Sequence, residues 1–133
     1  VPLILLAASQ ASTLAVWDEL LGHVGYTTVA CQTTRAAQQC IDMNHPDLLL
    51  LACDLEWYGA GWDLLYVVRQ RPATATLPVI MYATDQHWLR VQHRQLQTWG
   101  CQILAHPFRA AELWSVAATA LTSVPLRDRA VGI

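Results

Sequence analysis

Five short apolar runs punctuate the chain, each followed by a longer stretch in which apolar residues recur every three to four positions. Leu3 to Ala7 is the first run, continuous and short enough for a strand buried on both faces. Leu14, Trp17, Leu20, Leu21 and Val24 then keep helical spacing, with Ser12 or Thr13 as the expected N-cap and Gly25 as the stop. Tyr26 to Cys31 is β-prone. Thr33 or Thr34 opens a second helical stretch through Met43, with Ala36, Ala37, Cys40 and Ile41 inward. Pro46 ends it, and Leu48 to Cys53 is the most hydrophobic run of the chain. A loop containing Gly59 and Gly61 leads to a helix from about Trp62 to Gln70. Pro78 to Ala83 reads as a fourth strand, and Asp85 to Trp99 as a helix stopped by Gly100. Gln102 to Ala105 is a short fifth strand, and a last helix runs from about Arg109 to Thr122.

Strict alternation of buried strands and amphipathic helices predicts an α/β domain: a parallel sheet with helices on both faces. Five units suit a flavodoxin-like strand order, 2-1-3-4-5. Residues 1–123 form one domain in this reading. Residues 124–133, with Pro125, Gly132 and three charges, are a tail or the start of a linker.

Composition narrows the class. With 54% apolar residues in 133, the chain can build a core without staples. It carries eight Arg, no Lys and a net charge of −2, with no basic run, so direct nucleic-acid binding is not expected. The apolar start, Val1 to Ala8, is short and lacks a basic flank. No stretch reaches the roughly 18 apolar residues of a membrane span, so a cytoplasmic protein without membrane contact is expected. Cys31, Cys40, Cys53 and Cys101 lack CxxC spacing and read as reduced, buried thiols.

Several segments, in order and spacing, resemble a bacterial response-regulator receiver domain: His45-Pro46-Asp47 through Asp54, Gly61-Trp62-Asp63-Leu64-Leu65, Pro78 to Thr84, then His106-Pro107-Phe108 and Glu112-Leu113. The resemblance spans about Leu3 to Leu121. It implies a phosphorylation pocket at the carboxyl ends of the strands, where an acidic pair holds Mg²⁺, an Asp accepts the phosphoryl group, and a Thr or Ser and a Lys contact its oxygens. Cation and Lys neutralise the charge of the transferred group.

Carried over position by position, that pocket is degenerate. The acidic pair falls on Ala7-Ala8 or Ala8-Ser9. The Thr position falls on Ala83, with Thr84 one residue late, and the Lys position on His106, which is shorter and mostly neutral near pH 7. The phosphoacceptor count is ambiguous: from Pro46-Asp47 it reaches Ala52, back from Gly61 it reaches Cys53, and the local Asp-Leu-Glu pattern gives Asp54. The family's switch aromatic in the fifth strand falls on Ile103. The expectation is a pseudo-receiver without cofactor, metal or catalytic activity, acting as a phosphorylation-independent protein-interaction module in signal transduction. Two alternatives stand beside it: a small-ligand or redox sensor built on Cys53, His106 and the Trp57–Trp62 loop, and an atypical receiver phosphorylated on Asp54.

Six Trp residues are the other signal. Trp17 and Trp99 fall on buried stripes. Trp57, Tyr58 and Trp62 crowd the loop beside the vacated pocket, where they either close over it or present a contact surface. Trp88 and Trp114 lie on the last two helices and either pack inward or line an interface. The expected partner is a signalling protein, or a second copy of the chain, through the face from the fourth to the fifth helix that the resemblance implies. Asp18 and Glu19 sit on a helix, too late to replace the acidic pair, and read as a solvated face, as do His87 and His93. Gly59 and Gly61 precede no Lys-Ser/Thr and make no nucleotide loop.

Overall fold

A computed structural model describes residues 1–122; the expected tail at 124–133 lies outside the described residues. Strands β1 (Leu3–Ala7), β2 (Thr27–Cys31), β3 (Leu48–Ala52), β4 (Val79–Ala83) and β5 (Cys101–Ala105) alternate with helices α1 (Ala11–His23), α2 (Thr34–Asn44), α3 (Ala60–Gln70), α4 (Gln86–Thr98) and α5 (Ala110–Thr122). All strand pairs are parallel, in the order β2-β1-β3-β4-β5. Every residue of β3 and β4 is buried, which is why those runs are continuously apolar rather than alternating.

The sheet divides the core in two. Leu5, Leu49, Leu51, Val79 and Met81 pack under α2, α3 and α4. Ile4, Leu6, Leu50, Ile80 and Tyr82 pack under α1 and α5. The order reverses at β1 and β3, so β1 has β2 on one side and β3 on the other. Their loops diverge there and open a crevice at the carboxyl ends.

Local chemistry fixes the ends. The Thr33 hydroxyl accepts from the Ala36 N–H at 3.0 Å, and the Asp85 carboxylate accepts from the Trp88 N–H at 3.0 Å, capping α2 and α4. The cap expected at Ser12 or Thr13 is not there: α1 begins at Ala11, and its N-cap Gln10 makes no side-chain capping bond. Both hydroxyl residues fall inside the first turn, past the N-cap position, where a side chain can no longer cap the helix start. Gly25, with φ of 95°, terminates α1 as expected. Asp47 ties the starts of β1 and β3: its N–H donates to the Leu3 carbonyl and its carboxylate accepts from the Leu3 N–H, both at 2.8 Å. Arg69 on α3 donates from Nε to the Trp99 carbonyl and from Nη1 to the Leu77 carbonyl, both at 2.7 Å, and so joins three elements at the opposite end of the sheet.

Candidate functional site

Four strand ends build the crevice. Ala7 and Ala8 close β1, both buried, and Ser9 is exposed. Ala52 ends β3, and the Cys53 N–H extends the ladder one step by donating to the Tyr82 carbonyl at 2.9 Å. Ala83 ends β4 and Thr84 follows it, exposed. The His106 N–H donates to the Ala83 carbonyl at 3.0 Å, placing the exposed imidazole at the rim. The structure thus brings Ala7, Ala8, Ala52, Cys53, Ala83 and His106 to one end of the sheet.

The three phosphoacceptor candidates point differently. Ala52 packs in the α1/α5 half of the core and Cys53 in the α2/α3/α4 half, as successive residues of an extended chain must. Asp54 lies past the strand end and is exposed. It stands close enough to raise the pKa of both Cys53 and Tyr82.

One polar residue beside the strand ends is one the sequence did not single out. Tyr82, only 8% exposed, carries its phenol up the α1/α5 side of β4. Its ring packs edge-on against Trp17, with centroids 5.1 Å apart, and against Phe108 at 6.0 Å. Its hydroxyl is hydrogen-bonded to His106 Nδ1 at 3.1 Å. Burial first, then the charges of Asp54 and Cys53, push the phenol pKa up, so it stays neutral. The available signal was a lone aromatic residue in an otherwise aliphatic strand, one position before its carboxyl end.

Cys53 and His106 do not form a thiol–imidazole pair: the imidazole is bonded to Tyr82. Burial, then Asp54 and Asp85, push the Cys53 thiol up to about 11. An activated thiol needs the opposite shift. Among the described residues no group of three or more His, Cys, Asp or Glu side chains could hold a metal ion. All four cysteines are free and buried.

The loop after β3 turns away from the crevice. Gly61 is where α3 crosses the end of β3. Its N–H donates to the Cys53 carbonyl at 2.9 Å, and a Cβ there would lie 2.2 Å from the Ala52 carbonyl oxygen. Glu56 folds onto α2, its carboxylate accepting from the Thr34 N–H at 2.6 Å and the Thr34 hydroxyl at 2.7 Å. Trp57 and Tyr58 are left exposed by 52% and 70%. Trp62 stacks on Trp99 at 5.0 Å and meets Trp88 edge-on at 6.0 Å; Tyr66 adds to Trp99 at 5.6 Å. The sequence reading placed Trp99 on a buried stripe and did not mention Tyr66. The spacing that unites them, Trp62 with Tyr66 and Trp88 with Trp99, is helical.

Trp88 and Trp114 lie on opposite sides of the sheet. Trp88 faces α3. Trp114 faces α1, where its indole donates to the Leu20 carbonyl at 2.8 Å and its ring stacks on His23. The face from α4 to α5 instead shows a shallow groove on each side of β5, one of about 450 Å³ lined by Leu89, Arg90, His93 and Ile103, the other of about 680 Å³ bordered by Arg109 and Glu112. Asp18, exposed on α1, accepts from the Thr28 hydroxyl.

The fold is shared with solved structures. A protein described as a response regulator from Chloroflexus aurantiacus superposes with a TM-score of 0.82 at 25% identity, over 92% of this chain and 98% of that one. The receiver domain of NtrX from Brucella abortus gives 0.77 at 24%, over 90% and 99%. The receiver domain of a sensor histidine kinase from Pseudomonas aeruginosa gives 0.79 at 21%, over 92% and 98%; that protein holds a magnesium ion in its active-site cleft. No protein-family model and no curated protein matches the sequence. The chain has the fold of a response-regulator receiver domain: five parallel strands in the order 2-1-3-4-5 with five helices, as its sequence predicted.

Proposed function

We propose that this receiver-fold domain is a non-catalytic interaction module of signal transduction that presents a fixed surface and does not pass through a phosphorylation cycle. One observation carries the reading: the strand-end positions where receivers hold Mg²⁺ and a phosphoryl group are taken by Ala7, Ala8, Ala52, Cys53 and Ala83, with no carboxylate among them, and the His106 imidazole at the rim is hydrogen-bonded to the buried Tyr82 hydroxyl. A phosphoryl group and its cation need carboxylate ligands and a neutralising cationic side chain. Methyl groups, a thiol and a neutral phenol supply neither. The partner is then a signalling protein or a second copy of the chain, engaged by a surface that does not depend on a switched residue.

A second reading has its own support. Asp54 is exposed at the rim and electrostatically coupled to Cys53 and Tyr82, so a phosphodonor could reach it. Sensing through the Cys53 thiol is disfavoured by its raised pKa. One experiment separates the first two readings: incubation with acetyl phosphate and Mg²⁺, followed by intact mass, with Trp fluorescence read against beryllofluoride. An unchanged mass and unchanged fluorescence are expected. An adduct lost in Asp54→Ala would overturn the proposal in favour of an atypical receiver.

A further inference from the structure

We infer that the domain associates head to tail with further copies of itself, the Trp57-Tyr58 loop of one molecule entering the groove between α4 and β5 of the next. Charge is segregated along the chain. Between Arg35 and Arg69 stand five carboxylates and no Arg; from Gln86 to Ala111 stand three Arg and no carboxylate. The fold turns this division into two surfaces. On one, the exposed rings of Trp57 and Tyr58 lie between exposed Asp54 and Asp63. That loop is held in shape by the Glu56 bonds to Thr34 and by the Ala60 N–H, which donates to the Trp57 carbonyl at 3.0 Å. A loop ordered beforehand loses little freedom on docking. On the other surface, Leu89, Ile103 and Ala105 floor a groove of about 450 Å³, rimmed by Gln86, Arg90 and His93. Arg94, exposed one turn along α4 from Arg90, extends the cationic edge.

The two surfaces are complementary in chemistry. Aromatic rings flanked by carboxylates suit an apolar floor with a cationic rim, and a guanidinium also packs on an indole face. The loop does not enter the groove of its own molecule. Tyr58 lies with Trp62 and Trp88 on the α3 side of α4, whereas the groove lies on the β5 side, so α4 stands between them. Self-pairing of either surface is unfavourable. Groove against groove sets Arg90 and Arg94 on like charges, and loop against loop does the same with Asp54 and Asp63. Opposite charges meet only when the loop of one molecule faces the groove of another. Such a contact is heterologous and leaves one free loop and one free groove, so association continues past two molecules.

This association rests on the reading of the domain as an interaction module whose partner is a second copy. The test uses no phosphodonor, so its failure leaves the phosphorylation result untouched. Sedimentation of the purified chain is followed from about 1 µM to about 1 mM, and the average mass is expected to rise past that of a dimer. Trp57→Ser removes the ring from the loop, and Arg90→Glu reverses the charge at the groove rim. Both positions are exposed, so melting temperatures should not change. Each variant alone should associate at least about tenfold more weakly than the parent chain. Mixed together, the two should form a one-to-one dimer and stop there, because Trp57→Ser keeps its groove and Arg90→Glu keeps its loop. Raising salt from about 0.05 M to about 0.5 M should weaken the parent association about threefold. A parent chain that stays monomeric, a parent dimer that grows no further, or a mixture no more associated than its two components would each overturn the assignment.

Discussion

The Tyr82 hydroxyl and the His106 Nδ1 lie 3.1 Å apart, and this hydrogen bond links β4 to the segment after β5 across the crevice. Tyr82→Phe keeps the ring against Trp17 and Phe108 and removes only the bond. A loss of about 1 kcal/mol is expected in urea unfolding. Tyr82→Ala removes the ring as well and should cost about 3 to 4 kcal/mol, through the cavity left beside Trp17. Neither variant is expected to take up a phosphoryl group, because Ala7, Ala8 and Ala52 supply no carboxylate. Intact mass after acetyl phosphate treatment checks this.

Gly61 packs where backbone meets backbone. A methyl group at this position meets the Ala52 carbonyl oxygen at 2.2 Å and the Cys53 Cα at 2.7 Å. Neither atom belongs to a side chain that could rotate away, so α3 must move off the end of β3. Gly61→Ala is expected to destabilise the domain by about 3 kcal/mol. Gly22→Ala, where a Cβ meets nothing within 4 Å, is the control and should be neutral or mildly stabilising. Thermal melts of the pair decide.

The buried thiols predict an alkaline limit to stability. Burial, then Cys40, pushes Cys31 from 9.0 up to about 12, and burial pushes Cys101 from 9.0 up to about 11 against the opposing pull of Arg69. With Cys53 also at about 11, the unfolded chain loses these protons at lower pH than the folded one. Their contribution is therefore fully present below about 9 and falls as pH rises through the folded values. Urea midpoints measured from pH 8 to 11 should decline. Cys31→Val, which removes the most shifted thiol, should flatten the decline; an unchanged slope would sink the explanation.

Glu56 behaves in the opposite sense. Its two hydrogen bonds from Thr34 hold its carboxyl below the usual carboxylate range, despite full exposure. The contribution is present above the ordinary carboxylate pKa and is lost as pH falls through the lowered folded-state value. Glu56→Gln should raise amide exchange at Thr34 and in the loop 54–59 at neutral pH. The difference from the parent domain should vanish in acid.

Much of the architecture was legible because it rests on local rules. Continuous runs such as Leu48 to Leu51 mark strands buried on both faces. Periodic stretches such as Leu14, Trp17 and Leu21 mark helices lying on them, and hydroxyl or carboxylate caps at Thr33 and Asp85 fix two starts. Alternation of these elements leaves a parallel sheet as the way to bury every run. The positions Ala7, Ala8, Ala83 and His106 could also be placed at or just past strand ends by counting. The sequence alone thus determined the elements, their order in the sheet and which uncharged residues stand at its carboxyl edge.

Tertiary structure decided what packs beside that edge and where the aromatic residues go. Successive residues Ala52 and Cys53 must face opposite sides of the sheet, but which of them lies under α1 and α5 and which under α2, α3 and α4 was decided by how the helices pack. Tyr82 looked like one more buried strand residue until β4 and β5 were side by side and its hydroxyl met His106. Trp62 and Trp99 are 37 positions apart, and only the packing of α4 beside α3 stacks them. Strand periodicity and helix periodicity are written in neighbouring residues. Contacts between elements depend on how two faces meet in space, and that information resides in no single segment of the chain.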